Sequence, residues 1–215
     1  GTGTGEFDWT PEGNLTYTAS NIGGNGHTFT YTFSGNTAAL RTSLFGSGSV
    51  SPFVGTELST PEALTLYTNG LGGGGITLTI DISPAISGNV GMSFFHVNGS
   101  VGSGGDKLTV SASYSGGSPI YPTFTNDTNP AYTSNNSTGV VDATGSGSGR
   151  DIGVNWSTGA IDKITIVWEE CSVCSSDIHG MAISGVDFCS GSGGLLKSSS
   201  IKFSILSGDY LFSFY

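Results

Sequence analysis

Gly (36), Ser (33) and Thr (25) together supply 94 of the 215 residues, against a usual Gly share of about 7%. The hydrophobic fraction is still 36% and the charged fraction only 10%, so the low-hydrophobicity, high-charge signature of a disordered chain is absent. Six basic against 16 acidic residues give a net charge of −10, which leaves no basic footprint for nucleic acid and disfavours anionic membrane surfaces. Strong helix formers are scarce and Gly or β-branched residues interrupt nearly every window, so long helices are excluded. No stretch reaches the roughly 20 apolar residues of a membrane span. The length suits one β-sandwich domain.

Strands follow one another along the chain. Alternation is plain in 14–19 and in 27–33, where Phe29, Tyr31 and Phe33 share one face and threonines the other. The segments 64–67, 76–82, 90–97, 107–114, 139–142, 151–156, 161–168 and 181–188 repeat the pattern, separated by Gly, Ser, Asn and Pro turns. Nine or ten such strands predict an all-β, antiparallel β-sandwich of jelly-roll type. No internal repeat points to a solenoid or propeller. The domain is expected over 1–189, followed by a Gly/Ser linker at 190–194. The tail at 195–215 is expected to begin another domain, to be a fused peptide, or to pair as a strand with a sheet edge. The chain opens on Gly-Thr-Gly-Thr-Gly and shows no signal peptide, so it is read as a mature or trimmed fragment.

Three cysteines are an odd number. Zinc would want four ligands at matching spacing, and only His179 lies near the Cys171-x-x-Cys174 pair. A redox motif should open a helix, whereas this one leads into Ser-Ser-Asp. The stronger expectation is a local disulfide, Cys171–Cys174, pinning a loop tip in an oxidising compartment, with Cys189 buried or paired elsewhere.

Five segments, in order, carry a family resemblance. Ile76-Thr-Leu-Thr-Ile-Asp-Ile-Ser-Pro-Ala-Ile, Val90-Gly-Met-Ser-Phe-Phe-His-Val-Asn-Gly, Gly105-Asp-Lys-Leu-Thr-Val, Ala160-Ile-Asp-Lys-Ile-Thr-Ile-Val-Trp and His179-Gly-Met-Ala-Ile-Ser-Gly-Val-Asp-Phe-Cys189 span about half the chain. Their succession resembles the jelly-roll module of large bacterial cell-surface proteins and adhesins, and is similar to calcium-associated carbohydrate-binding jelly rolls. The resemblance implies an extracellular β-sandwich on a bacterial surface that binds glycan, peptide or another surface, often with calcium. Where the family carries Asp-Ile-Asp, this chain has His96-Val-Asn98, so a calcium site on Asn98 and Asp106 has fewer carboxylates. The plainer reading makes Asn98-Gly-Ser a turn and Asp106 a loop cap. The family also suggests a calcium between the chain ends, held by Glu6, Asp8 and Asp187, against a solvent-facing Asp187.

A glycan site wants exposed aromatics with amides and carboxylates nearby. Trp156 and Asn155 in one strand, with Tyr121, Asn129 and Tyr132 in the long insertion 115–138, are the candidates. A core role competes for each aromatic, and Trp168 is assigned to the core. Catalysis is not expected. Glu169 and Glu170 are adjacent and point to opposite faces of a strand, and His27, His96 and His179 have no companion motif. The expected function is an extracellular adhesion module that recognises glycan ahead of peptide, assisted by calcium, without nucleic-acid binding or membrane insertion. The rival is a structural subunit that self-associates through 195–215 into a filament or layer.

Overall fold

Residues whose apolar side chains recur at every second position pair into two antiparallel sheets. A computed structural model describes residues 11–22, 26–43, 48–59, 62–99, 101–125, 132–145, 150–157 and 159–188. The strands are β1 (Thr16–Ile22), β2 (His27–Gly35), β3 (Phe53–Gly55), β4 (Ala63–Thr68), β5 (Ile76–Ser87), β6 (Val90–Val97) and β7 (Asp106–Ser113), then β8 (Thr123–Thr125), β9 (Tyr132–Asn135), β10 (Val140–Ala143), β11 (Arg150–Trp156), β12 (Ala160–Glu170), β13 (His179–Ile183) and β14 (Asp187–Phe188). Sheet A is ordered β1-β2-β5-β12-β7-β10-β9, and sheet B is β3-β4-β13-β6-β11-β8 with β14 added on β6. The alternation of β2, β5, β7 and β12 sends Phe29, Tyr31, Ile80, Leu108, Ile164 and Trp168 inward, against Leu64, Met92, Phe94, Ile152, Trp156 and Met181 of sheet B. The all-β sandwich expected from the sequence is the architecture found.

The described residues hold more strands than the sequence predicts. The additions β3, β8 and β9 are three or four residues long, too short for a period to register, and the strand expected over 181–188 is divided into β13 and β14. The expected insertion at 115–138 is in part built into the sheets. Ile120 bridges to Ala112, Phe124 of β8 pairs with Val154, and β9 pairs with β10.

The two outer faces differ. Over half of sheet B, Phe53 and Leu58 pack with Tyr67, Ala63 and Ala182, and Phe95 leans on this cluster. Tyr67 and Ser43 both donate to the Glu57 carboxylate, which ties the covering segment down. Strands β4 and β13 are therefore buried on both faces, and the remaining half of that face, on β6, β11, β8 and β14, is polar. The outer face of sheet A carries rows of hydroxyls.

Candidate functional site

Four of the sequence-predicted site residues, Asn98, Asp106, Cys171 and Cys174, meet at one end of the sandwich, and their chemistry there is structural. Trp168 at the end of β12 donates its Nε1–H to Asp106 Oδ1 at 2.7 Å, and the Asn98 backbone N–H donates to Oδ2 at 2.9 Å. Asp106 is fully buried, and desolvation pushes its carboxyl up to about 6 despite these donors and the nearby His179. His179 Nδ1 donates to the Asp177 carbonyl at 2.8 Å, since a carbonyl only accepts. Its Nε2 is buried without a hydrogen-bond partner and lies 3.6 Å from Asp106 Oδ1. Glu170 faces inward and accepts from Leu71 N (2.7 Å) and Gly105 N (3.2 Å), while Glu169 faces outward to Lys107 (3.3 Å).

The Cys171–Cys174 disulfide sits on this knot. A Cβ on Gly105 would collide with Gly99 Cα and lie 2.8 Å from Asn98 O, so only glycine lets these backbones meet. The fit to calcium is poor here. Both Asp106 oxygens already hold protein donors, and Asn98 reaches the carboxylate through its N–H, which a cation cannot use as a ligand. Among the described residues no group of three or more His, Cys, Asp or Glu side chains is placed to hold a metal ion. Glu6 and Asp8, the other halves of the chain-end site, lie outside the described residues.

The aromatic candidates scatter. Trp156 is 2% exposed and donates Nε1–H to the Ile120 carbonyl at 2.9 Å, so it is a core residue and cannot serve as a docking platform. Its position in strict alternation with Val154 and Ile152 sends it inward. Tyr132 is likewise buried, at 5%. Tyr121 is exposed, and its ring stands beside Gly139, next to Val110 of β7. Asn129 lies outside the described residues.

Asn155 and Asp187 come together instead. Across the outer face of sheet B the register places Thr123 opposite Asn155, Asn155 opposite Gly91, and Gly91 opposite Asp187. Core residues Val154, Trp156, Val90 and Phe124 alternate with this row, so its side chains point outward. Asn155 and Asp187 are two strand spacings apart, about 9.5 Å between backbones. Gly91 between them contributes no side chain. A Cβ there would meet nothing closer than Val154 O at 3.3 Å, and Asn155 Nδ2 lies 3.8 Å away. The result is a slot one side chain wide, with backbone as its floor and an amide and a carboxylate as its walls.

The next row holds Thr125, Gly153, Ser93 and Ser184, and the Thr125 hydroxyl closes over Gly153, where a Cβ would collide with it. The Ser184 Oγ accepts from Ser93 N at 2.8 Å. At the far end Phe95 and His96 bulge opposite Asp151. His96 adopts φ 62, and its backbone N–H donates to the Asp151 carboxylate. Desolvation lowers the His96 pKa and raises that of Asp151. Sequence reading missed Gly91, Ser93, His96 and Asp151. Its available signal was the lone Gly inside the apolar alternation of 90–97, which marks a close backbone approach or a binding floor. Comparison with family models, with curated proteins and with solved structures gives no match for this chain.

Proposed function

We propose that this protein is an extracellular module that binds glycan non-covalently in the slot over Gly91, as part of a bacterial surface adhesin. The observation that carries the reading is the row Thr123–Asn155–Gly91–Asp187. An amide offers both donor and acceptor, a carboxylate accepts paired hydroxyls, and a glycine floor admits the flat edge of a sugar ring. Half-buried Phe95 supplies an apolar surface at one end. The His179–Asp106–Glu170 cluster, whose side chains are 5%, 0% and 14% exposed, has a structural role in this reading. We read the strand order as a jelly roll. Numbered in chain order, the eight strands β4, β5, β6, β7, β10, β11, β12 and β13 run 1-8-3-6 in sheet B and 2-7-4-5 in sheet A. Calcium enters this proposal only through Asp187, where it would bridge the carboxylate to sugar hydroxyls.

The test is a glycan and peptide array probed with the full chain, in calcium and in excess chelator, beside the variants Asn155→Ala and Gly91→Val. Hits on glycans that both substitutions abolish are expected. Hits confined to peptides, or glycan hits indifferent to both substitutions, overturn the reading. Loss of the glycan hits in chelator assigns calcium to recognition.

A further inference from the structure

A second cavity lies on the opposite side of the sandwich, where the pairing of β5 with β12 breaks. Asp81 pairs with Lys163 and Ile86 with Ile161, so residues 82–85 of β5 face Asp162 alone. The excess chain opens the sheet into a pocket of about 330 Å³ lined by Asp81, Ile82, Ser113, Gly116, Asp162 and Lys163. A turn forms one wall. Gly117 N donates to the Tyr114 carbonyl at 2.9 Å, and Ser115 N donates to Asp162 Oδ2 at 2.8 Å.

We infer that this pocket is a binding site for one residue of a neutral polysaccharide chain, separate from the slot over Gly91. Charge decides the class of ligand. The Lys163 ammonium is paired with Asp81 Oδ1 at 3.3 Å, and Asp162 Oδ2 already accepts from Ser115 N, so a metal ion finds too few free carboxylate oxygens here. Two carboxylates, Asp81 and Asp162, repel an anion. What remains is an uncharged group rich in hydroxyls, for which carboxylates accept, the ammonium donates and the Ser113 hydroxyl does either. The volume sits at the small end of ligand pockets, the size of one or two sugar rings.

The surroundings continue the path. One cross-strand row runs Thr18–Thr30–Asp81–Lys163–Ser113, and the next runs Thr16–Thr32–Thr79–Thr165–Ser111. The charges of the first row are paired with each other, and the second row has none. The second row repeats hydroxyls at about 4.8 Å, but successive strands rotate by about 20–25°. Over five strands that twist defeats a flat crystalline surface, whereas a single flexible chain can follow it.

The experiment is amide-resolved NMR titration of the full chain with cello-, malto- and mannohexaose, with a galacturonate hexamer, and with calcium chloride alone. A neutral hexaose is expected to shift the Ser113, Ser115, Gly116 and Lys163 amides. Asp162→Asn keeps an oxygen for Ser115 N but turns a donor toward the pocket, and should weaken that binding about tenfold. Thr79→Val with Thr165→Val should weaken the hexaose but leave the matching disaccharide unchanged. No shift at these amides with any neutral hexaose, or shifts there with galacturonate or calcium in place of neutral sugar, overturns the inference. Shifts at Gly91, Asn155 and Asp187 report the other slot separately, so either site can fail alone.

Discussion

Replacing Trp168 with Phe removes one hydrogen-bond donor from a carboxylate that has no water to replace it. Trp168 is 1% exposed, Asp106 0%, and the bond between them is 2.7 Å. Losing a partner of a buried, charged acceptor costs about 2 kcal/mol, and the ring atoms withdrawn from a packed core cost roughly 1–2 kcal/mol more. The total, about 3–4 kcal/mol, is a large fraction of the roughly 5–15 kcal/mol that holds a domain folded. The two parts separate with pH. Because burial raises the Asp106 carboxyl to about 6, the folded state holds its proton more tightly than the unfolded chain, whose carboxyl titrates near 3.9. The contribution of Asp106 to stability is therefore fully present below about pH 4 and is lost as pH rises through about 6. Deleting the indole N–H removes a bond that favours the ionised form and moves this carboxyl higher still. The deficit of Trp168→Phe should be about 3–4 kcal/mol near pH 7.5 and shrink toward the packing share of roughly 1–2 kcal/mol near pH 5. Urea unfolding followed by far-ultraviolet circular dichroism at both pH values measures it. An equal deficit at both, or a larger one in acid, refutes the charged hydrogen bond as the source.

Gly91→Val should cost no more than about 1 kcal/mol in urea unfolding, because a β-branched residue suits a strand while its Cβ meets Val154 O at 3.3 Å and Asn155 Nδ2 at 3.8 Å. The same substitution should abolish glycan-array binding, and a stable variant that binds as the parent does removes the slot from consideration. Gly105→Ala should cost about 3 kcal/mol or more, since the added methyl has no room between Gly99, Asn98 and Cys174; a midpoint unchanged in urea would contradict the packing described for that turn. Replacing Cys171 and Cys174 together by Ser opens a ring closed over a sequence separation of 3, for which chain entropy gives roughly 2 kcal/mol. Calorimetry of the parent with and without reductant should show the same loss, and a shift in the parent that the double variant retains would place the reductant's effect elsewhere.

Alternation in the chain was enough to determine the sandwich. Phe29-Thr-Tyr31-Thr-Phe33 and Ile76-Thr-Leu-Thr-Ile80 can each bury one face only as strands, and Gly, Asn and Pro clusters break them at sandwich intervals. Period 2 also assigns each side chain to a face relative to its neighbours, which is why Glu169 and Glu170 diverge as the sequence requires. It does not say which strand lies alongside. The meeting of Asn155 with Asp187 depends on β11 and β14 both pairing with β6.

Burial of the aromatics was decided by tertiary structure for a related reason. Trp156 beside Asn155 looks like a docking pair in one dimension, yet adjacent residues of a strand face opposite ways, and only the position of sheet A shows that the Trp side is the inner one. Asp106 illustrates the limit most sharply. As a letter it is an acidic residue at a loop, suited to calcium. In the fold it is enclosed by Trp168, Asn98 and His179, three groups drawn from separate strands and loops, and desolvation together with those donors fixes what it does.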